Sequence, residues 1–432
     1  MNGWSCMCSL SHSLMTIEIE TEQKTMTEVI LALNAGSTSL KFSLFATTRD
    51  TDSLSLLYQG GVEGIDGATR FFVYNAMGQQ QEDKQLTANA VISHEDALNV
   101  LLHWIERHED GLRLIAAGHR VVHGGTLYLA PVLVDEAVLG YLKQLVPLAP
   151  LHQPHNLTAI QAIAKIRPDI PQVACFDTTF HQTQPAVAQA FALPREVTAL
   201  GVKRYGFHGL SYEYIASVLP SYVGPSSEGR VVMAHLGGGA SMCAMRQRRS
   251  VGTCMGFTAL EGLPSGTRCG ALDPGVVLYL LGEQRMTLSA VTDLLYHRSG
   301  LLGVSGESGE MRELLASDSP RAAEAIDLFV YRVRRELGSL VAVLGGLDIL
   351  VFTGGIGEHA APIRARICQD AQWLGVRLDE EANLTDGPKI SSEDSAVAVW
   401  VIPTDEDLMI ARHTYDVINS AVSINEHQQS MR

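Results

Sequence analysis

One short pattern occurs twice in this chain, and it constrains the fold more than any other feature. Residues 29–45 and residues 231–245 each contain an apolar run, a turn of small residues and a second, partly apolar run. Such a pattern predicts a β-hairpin. The copies lie roughly 200 residues apart, far beyond the ~20–50-residue period of a repeat array, so we interpret them as a domain duplication. Two domains also suit a length of 432 residues, because a single core stops growing at about 250–300 residues.

Helical and strand patterns alternate along the rest of the chain. A capping-box-like start at residues 93–96 precedes leucines with helical spacing, and an apolar stripe over 322–344 predicts the clearest helix. Two short apolar runs, at 348–352 and 397–402, are typical of strands buried on both faces, and a final helix is predicted after the second. This alternation predicts an α/β fold.

The composition excludes several classes of protein. Hydrophobic residues make up 46% of the chain and charged residues 18%, as in globular enzymes. The formal net charge of -15 argues against partners such as nucleic acid or an anionic membrane, and no apolar run approaches the ~20 residues of a membrane span. Residues 1–26 lack the regions of a signal peptide, so we expect a disordered leader or an over-long start. Seven scattered cysteines favour reduced thiols and a cytoplasmic location.

Three glycine-rich turns follow apolar strands, at residues 34–39, 237–241 and 354–357. Successive backbone N–H groups in such turns form anion-binding nests, and glycine lets the backbone approach a phosphate closely. Each turn taken alone is equally well an ordinary tight turn, but three of them at strand ends favour a ligand site. None matches the GxxxxGK[ST] pattern, so a Walker-type phosphate loop is excluded.

Four residues have the chemistry and the neighbours of a catalytic site. We expect Arg120, in GHRVVHGG, and Arg268, in GTRCG, at strand ends, where a guanidinium is well placed to clamp an oxyanion or a phosphoryl group. A structural pair with a carboxylate is the alternative for each arginine. His208 lies between glycines on a turn, and Asp177 is expected at the carboxyl end of a strand, where open α/β sheets bind ligands. A purely structural role is the alternative for both.

Nine ordered blocks, which span most of the chain from about residue 27 to residue 418, resemble a known family. They are LNAGSTSLKFSLF, GHRVVHGG, PLHQPHN, FDTTFHQTQP, YGFHGLS, HLGGGAS, MGFTALEGLPSGTR, FTGGIGE and IPTDED. The family is acetate kinase, or acetokinase, in the superfamily that includes sugar kinases, actin and the heat-shock ATPases. Agreement across nine such blocks does not arise by chance.

The resemblance implies reversible transfer of the γ-phosphoryl group of ATP to acetate, giving acetyl phosphate and ADP, with Mg²⁺ required and Mn²⁺ as an alternative ion. A carboxylate is already ionised at neutral pH and needs no general base, so catalysis reduces to positioning and charge stabilisation of an in-line transfer. By motif, Arg120 and Arg268 resemble the arginines that hold acetate and the transferring group. His208 resembles the histidine that hydrogen-bonds this group, and Asp177 the acidic residue that acts through the metal or an arginine.

The resemblance also assigns three further sets of residues. The acyl pocket comprises Val122, Leu151, Phe207 and Ala259. The ATP-binding set comprises Ser39, Lys41, His235, Gly237, Gly238, Gly239, Gly354, Gly355, Ile356 and Gly357. The metal-binding residues are Asn34 and Glu406.

The family fold implies two duplicated ribonuclease H-like (actin-like ATPase) domains with a cleft between them. We expect the first domain at 27–178 plus 407–425, the second, with the nucleotide site, at 179–406, and a homodimer of such chains. Ala259 departs from the family pattern, since many members have Pro there, and this leaves room for a methylene worth ~1–3 kcal/mol in discrimination between acetate and propionate. Other departures are Thr126, Gly238, Ala271, His359 and Asp405.

Three other functions compete with an acetate kinase. A propionate or other short-chain acyl kinase would differ only in its pocket. An actin-like or chaperone-like ATPase would share the two-domain cleft, but such proteins usually open their first hairpin with Asp, whereas this chain has Asn34. A binding protein without activity would have a degraded site, whereas the predicted catalytic residues are all present.

Overall fold

The computed structural model describes residues 26–36, 38–48, 53–65, 67–86, 93–107 and 111–430, with side chains up to residue 421. Apart from Met26, the leader predicted at residues 1–26 lies outside the described residues. Within these ranges, no helix combines the length and the apolar character needed to cross a lipid bilayer.

The first sheet contains eight strands within the described ranges. They are β1 (Thr27–Ala35), β2 (Ser39–Thr48), β3 (Ser53–Glu63), β4 (Arg70–Asn75), β5 (Gln80–Gln85), β6 (Leu112–Val121), β7 (Val132–Leu133) and β8 (Gln172–Phe176). Their spatial order is β5-β4-β3-β2-β1-β6-β8-β7. β1 is antiparallel to β2 and parallel to β6, and β6 is parallel to β8.

The second sheet contains five strands in the part of the chain that the structure covers. They are β9 (Arg230–Leu236), β10 (Ala240–Arg246), β11 (Arg249–Thr253), β12 (Ile349–Thr353) and β13 (Ala398–Val401). The order β11-β10-β9-β12-β13 and the strand directions match those of β3-β2-β1-β6-β8. This confirms the predicted fold of two ribonuclease H-like units, and both predicted hairpins form, as β1–β2 and β9–β10.

Helices fill the connections and cover the sheets. They are α1 (His94–Arg107), α2 (Glu136–Gln144), α3 (Gln153–Ile166), α4 (Ala186–Gln189), α5 (Arg195–Thr198), α6 (Gly209–Val223), α7 (Pro274–Gly282), α8 (Leu288–His297), α9 (Gly300–Ser305), α10 (Met311–Leu315), α11 (Pro320–Leu344), α12 (Gly354–His359), α13 (Ala361–Asp370), α14 (Glu380–Leu384) and α15 (Glu406–Ser430). Short 3-10 helices occupy Val146–Leu148, Thr179–Thr183, Gly224–Glu228 and Gln372–Leu374.

Local sequence signals explain several of these elements. Ser93 and Asp96 form the predicted capping box of α1: the Asp96 N–H donates to the Ser93 hydroxyl at 3.2 Å, and the Ser93 N–H donates to the Asp96 carboxylate at 2.9 Å. The apolar stripe of α11 is buried against the second sheet, and the helix ends at Gly345 in the left-handed conformation. The predicted strands at 348–352 and 397–402 correspond to β12 and β13, within about two residues at each end.

Two helices connect the units by crossing over. α6 follows the first sheet in the chain and packs on β9 in the second, whereas α15 follows the second sheet and packs on β1, β6 and β8 in the first. The two helices also contact each other, and Glu213 on α6 pairs with His413 on α15 at 2.9 Å. The packing of α15 agrees with its expected place in the first domain, while the exact domain boundaries stay a prediction.

Candidate active site

Two adjoining cavities bring together the turns that the sequence singled out. The smaller, of about 410 Å³, is lined by the β1–β2 turn, the segment before α3, Arg268 and the end of α8. The larger, of about 550 Å³, is lined by the β9–β10 turn, residues 309–312 and the start of α12. Gly238 lines both cavities, so the two adjoin at the β9–β10 turn.

Arg120, near the end of β6, forms a buried ion pair with Asp177, which follows β8. The guanidinium donates to both carboxylate oxygens of Asp177, with Nε–Oδ1 at 3.0 Å and Nη2–Oδ2 at 2.7 Å. Burial raises the pKa of the Asp177 carboxyl, and the guanidinium of Arg120 opposes this effect. Burial also disfavours the charged form of Arg120, but Asp177 and Glu406 outweigh it and raise the Arg120 pKa. Arg120 is therefore a fixed cation whose orientation is set by Asp177.

The two predicted metal-binding residues lie on the other side of the same guanidinium. Nη1 of Arg120 is 3.5 Å from Oδ1 of Asn34 and 3.7 Å from Oε2 of Glu406. Both side chains thus present an oxygen near Nη1, while Asp177 occupies Nε and Nη2. The structure also brings together residues that are far apart in the sequence, since Asn34 ends β1 and Glu406 begins α15.

The residues that flank Glu406 have structural roles. Asp405, one of the departures from the family pattern, accepts a hydrogen bond from the Leu408 N–H at 2.8 Å and so caps α15. Asp407 accepts a hydrogen bond of 2.6 Å from Ser43 on β2. Burial raises the pKa of Asp407 to about 6, and the Ser43 hydrogen bond opposes this shift. Both contacts fix the start of α15 and with it the position of Glu406.

Arg268 lies in a loop, so its predicted place at a strand end was wrong. The loop that carries it turns at Gly262 and Gly270, both with positive φ, because the chain must fold back on itself here. Arg268 donates from Nη1 to the carbonyl oxygen of Ala259 at 2.7 Å. Among the described residues no carboxylate pairs with it. Burial and the nearby Arg120 lower its pKa, although Tyr296 opposes them, and its charge is available to an anion.

His208 directly precedes α6 and has the left-handed conformation, with φ of 59°. Its Nδ1 lies 2.8 Å from the Ser241 hydroxyl. Burial, reinforced by His235, Arg120 and Arg268, holds the His208 pKa well below its usual value. His208 is therefore neutral at pH 7, and it acts as a hydrogen-bonding group rather than as a charge.

Gly239 separates His208 from Arg268, and glycine is required there. A Cβ on Gly239 would lie 3.2 Å from His208 Nε2 and would collide with Nη2 of Arg268. Because glycine has no side chain, the imidazole and the guanidinium both reach the backbone of the β9–β10 turn. A small anion beside this turn would meet both groups.

The predicted acyl residues lie together, with one exception. Val122, Phe207 and Ala259 belong to one apolar cluster, which also contains Ala149, Tyr205 and Met255. Leu151 lies outside this cluster but lines the smaller cavity. The apolar cluster and Arg268 meet at Ala259, whose carbonyl oxygen accepts a hydrogen bond from the guanidinium.

The predicted ATP-binding residues divide into three groups. Gly237, Gly238, Gly355 and Ile356 line the larger cavity, and Ser39 lines the smaller one. Gly239, Gly354, Gly357 and His235 are not among the residues that line either cavity. The N–H of Gly354 donates to the Glu358 carboxylate at 2.8 Å, and Nδ1 of His235 lies 2.8 Å from the Ser211 hydroxyl. Lys41 is exposed on β2 and lines neither cavity.

Sequence reasoning missed one wall of the larger cavity, formed by Gly309, Glu310, Met311 and Arg312. Gly309 and Glu310 precede the short helix α10 and Met311 and Arg312 begin it, so no strand leads into this wall and strand-turn patterns do not indicate it. Sequence reasoning also missed the partners that hold the site residues, such as Ser241, Tyr212 and Glu358. The GES and GEM triplets at 306–311, polar residues flanked by glycine, were the available signal for the missing wall.

Comparisons with known proteins agree with this geometry. A family model described as the acetokinase family matches residues 29–412. Acetate kinase of Rhodopseudomonas palustris (strain ATCC BAA-98 / CGA009) is 58% identical over 393 residues, which cover 90% of this chain and 98% of that protein. Acetate kinase of Rhizobium meliloti is 48% identical over 393 residues, which cover 91% of this chain and 99% of that protein.

Solved structures give the same result. A propionate kinase from Francisella tularensis subsp. tularensis SCHU S4 is 35% identical, with a TM-score of 0.83, over 90% of this chain and 100% of that chain. An acetate kinase from Porphyromonas gingivalis is 34% identical, with a TM-score of 0.79, over 90% of this chain and 100% of that chain. By sequence and by structure, this chain belongs to the acetokinase family, kinases that transfer a phosphoryl group to a carboxylate.

Proposed function

We propose that this protein transfers the γ-phosphoryl group of ATP to acetate, reversibly and with Mg²⁺. The observation that carries the proposal is the position of Arg268. It is a partly buried cation without a carboxylate partner among the described residues, next to the glycine turn that adjoins both cavities. An acyl group in the smaller cavity and a nucleotide in the larger one would meet at this cation.

The reaction needs little from the protein beyond placement and charge. The acceptor is a carboxylate that is already ionised, so no general base is required. Arg120 and Arg268 would neutralise the acceptor and the transferring group, and the neutral His208 would donate a hydrogen bond to the latter. Preorganised groups of this kind are typically worth about 3–4 kcal/mol each to the transition state.

The residues near Arg120 fit a magnesium ion. Mg²⁺ is usually bound by one or two carboxylates together with substrate phosphates and water, so a complete protein cage is not expected. In agreement, no cluster of three or more His, Cys, Asp or Glu side chains suited to a metal occurs among the described residues. Asn34 and Glu406 would supply the oxygen ligands. The bound ion would neutralise charge on the phosphates of the nucleotide.

The nucleotide would occupy the larger cavity, with its base between α12 and residues 309–312. The volume of about 550 Å³ suits a ligand of this size. A Cβ added to Gly238 would have no other atom within 4 Å, so the absence of a side chain there leaves open space beside the phosphates. His359 and Arg312 line the cavity and would contact the nucleoside.

Propionate is the alternative acceptor. Ala259 lies at the edge of the apolar cluster and is only partly buried, which supports space for one more methylene than a proline ring would leave. One solved structure similar to this chain is described as a propionate kinase. An Ala259→Pro variant, compared with the unchanged protein, would show whether this position sets the acyl length.

A homodimer is the assembly we propose, through the surface of α7. Residues 271–290 include no buried residue, yet this stretch is rich in apolar side chains. Leu278 and Leu288 are 69% and 72% exposed. Apolar patches of this kind mark protein contacts, and a second copy of the chain is the occupant we propose because the family resemblance implies a homodimer. We also propose a cytoplasmic location, where ATP is available.

The test is acyl phosphate formation from Mg²⁺-ATP, trapped with hydroxylamine, with acetate, propionate and butyrate in parallel. Product that depends on acetate, with little ATP hydrolysis in its absence, supports the proposal. Hydrolysis of ATP without any acyl phosphate would support an ATPase instead. Light scattering on the same sample measures the assembly, and a monomer at micromolar concentration would contradict the dimer.

A further inference from the structure

Behind His208 lies a short chain of buried hydrogen bonds that the proposed reaction does not yet explain. The Ser241 hydroxyl on β10 lies 2.8 Å from Nδ1 of His208 and 2.5 Å from the hydroxyl of Tyr212 on α6. Ser241 and Tyr212 are fully buried, and His208 is 8% exposed. These three groups must therefore satisfy one another, because water does not reach Ser241 or Tyr212.

The number of protons in this chain fixes its direction. Burial raises the Tyr212 pKa well above its usual value, so the phenol keeps its proton. The backbone N–H of His235 donates to this hydroxyl and opposes the shift, so the phenol's own proton is left for Ser241, which accepts it. The hydroxyl of Ser241 then has one proton of its own, and His208 Nδ1 is the remaining partner. If Nδ1 also carried a proton, the Ser241 proton would be buried without an acceptor.

We propose that Tyr212 and Ser241 are positioning residues that hold His208 in the tautomer with its proton on Nε2. The proposal rests on the proposed function, because it identifies Nε2–H as the donor to the transferring phosphoryl group. Nε2 is the ring nitrogen that faces Gly239 and the neighbouring Arg268. The opposite tautomer would present a lone pair to a phosphoryl oxygen, and the interaction would be repulsive.

The ring orientation is fixed by the same contacts. The left-handed backbone at His208 places the residue at the start of α6, and Tyr212 lies one helical turn further along. Ser241 approaches from β10 in the second sheet. The neighbouring strand β9 carries His235, whose ring is tilted by 32° to the ring of His208, with 4.4 Å between the ring centroids. The donor thus depends on packing between α6 and the β9–β10 hairpin rather than on any neighbour in the sequence.

The first experiment measures the tautomer itself. In protein labelled with ¹⁵N-histidine, long-range ¹H–¹⁵N correlation spectra distinguish a protonated from an unprotonated ring nitrogen. The signals of His208 are assigned by their absence in His208→Asn. We expect Nε2 of His208 to be protonated and Nδ1 unprotonated in the wild-type enzyme. A protonated Nδ1 with a bare Nε2 would overturn the proposal, whatever the kinetics show.

The second experiment measures the consequence for catalysis. We expect Ser241→Ala to lower kcat by about 10–100-fold, the usual effect of losing an outer hydrogen-bond partner of a functional histidine, with KM for ATP and acetate changed less. Ser241→Thr keeps the hydroxyl and should restore both the Nδ1 signal and most of kcat. Tyr222→Phe, on the same helix, is the matched control for Tyr212→Phe, and it should change neither the Nδ1 signal of His208 nor kcat.

The two failures can be told apart. If the wild-type enzyme forms no acyl phosphate, the proposed function fails, while the tautomer is still read directly from the spectra. If the enzyme is active but Ser241→Ala keeps full kcat in folded protein, the positioning role of Ser241 is refuted. Circular dichroism of each variant establishes that it is folded before the kinetics are compared.

Discussion

Glu358 shows how the nucleotide cavity depends on a residue that binds no substrate. Its Oε1 accepts hydrogen bonds from the N–H of Gly354 at 2.8 Å and the N–H of Thr404 at 3.2 Å. Gly354 begins α12, beside the larger cavity, and Thr404 lies two residues before Glu406. One carboxylate oxygen therefore connects the nucleotide wall to the segment that carries the proposed metal ligand.

The expected effect of Glu358→Ala follows from the two N–H groups that lose their acceptor. A buried donor without a partner costs about 1–3 kcal/mol, so two donors give a range of about 2–6 kcal/mol. The Glu358 side chain is 14% exposed, so water can enter and the cost should lie near the lower end. If most of it is spent on displacing the α12 turn and the segment before α15, KM for ATP rises about tenfold or more, since 1.4 kcal/mol is a factor of ten.

The assay is steady-state kinetics with ATP, Mg²⁺ and acetate each varied. Glu358→Ala should raise KM for ATP and the Mg²⁺ concentration required, and it should leave KM for acetate almost unchanged. Glu358→Gln retains the Oε1 acceptor and should behave nearly as the wild type does. Glu336→Ala is the control, because Glu336 is also a partly buried glutamate but lies on α11 and lines neither cavity. An unchanged KM for ATP in Glu358→Ala would refute the reasoning.

Three further predictions concern the site and its stability. Gly239→Ala should lower kcat by at least about 100-fold without unfolding the protein, because its Cβ displaces Arg268 and His208 from the turn; wild-type turnover would contradict the close approach. Arg268→Lys should also lose about 100-fold or more in kcat, since one ammonium nitrogen cannot keep the Ala259 contact and clamp an anion in the fork geometry of a guanidinium. Hydroxylamine trapping measures the turnover of both variants. Burial lowers the pKa of five histidines to about 3 or about 4, so they are neutral when folded but take up protons when unfolded. The free energy of unfolding should therefore fall as the pH drops below about 6.5, by up to about 1.4 kcal/mol per pH unit for each of these residues. Urea titrations between pH 7 and pH 5 measure this free energy, and a value that does not change with pH would contradict the prediction. The five are His119, His123, His152, His181 and His235.

The fold was predictable wherever a local pattern determines the element. The two hairpins, the capping box of α1, the stripe of α11 and the buried strands β12 and β13 all follow from the spacing of apolar residues or from caps. The extra strands at the edges of the first sheet were not foreseen. β4 pairs with β3 and β5 pairs with β4, and β5 has mixed polar residues without a clear period. Their pairing is decided by the neighbouring strand, which the sequence alone does not reveal.

The site was predictable in its residues but not in its connections. Asp177 and Arg120 were each assigned by motif, yet the sequence left a structural pair and a catalytic clamp as alternatives for Arg120. In the structure the two alternatives are compatible: Arg120 forms the pair with Asp177, which orients its guanidinium, and its Nη1 is left facing Asn34 and Glu406. Arg268 was misplaced at a strand end because its loop is fixed by distant contacts, such as the hydrogen bond of 3.1 Å from Gly266 N–H to the carbonyl oxygen of Gly238.

The duplication explains why so many functional groups converge. In each unit, the first hairpin ends in a glycine-rich turn, and an acidic residue follows the fifth strand of the shared order, Asp177 after β8 and Glu406 after β13. Because α6 and α15 cross between the units, both acidic residues approach Arg120, one on each side of its guanidinium. Because Asp407 is bonded to Ser43 on β2 and α15 packs on the first sheet, Glu406 is held to the first unit, so a rotation of one unit relative to the other would leave both ion pairs of Arg120 intact. The separation between Arg120 of the first unit and Arg268, whose loop is bonded to the β9–β10 turn of the second, is therefore the part of this site that should respond to closure around nucleotide.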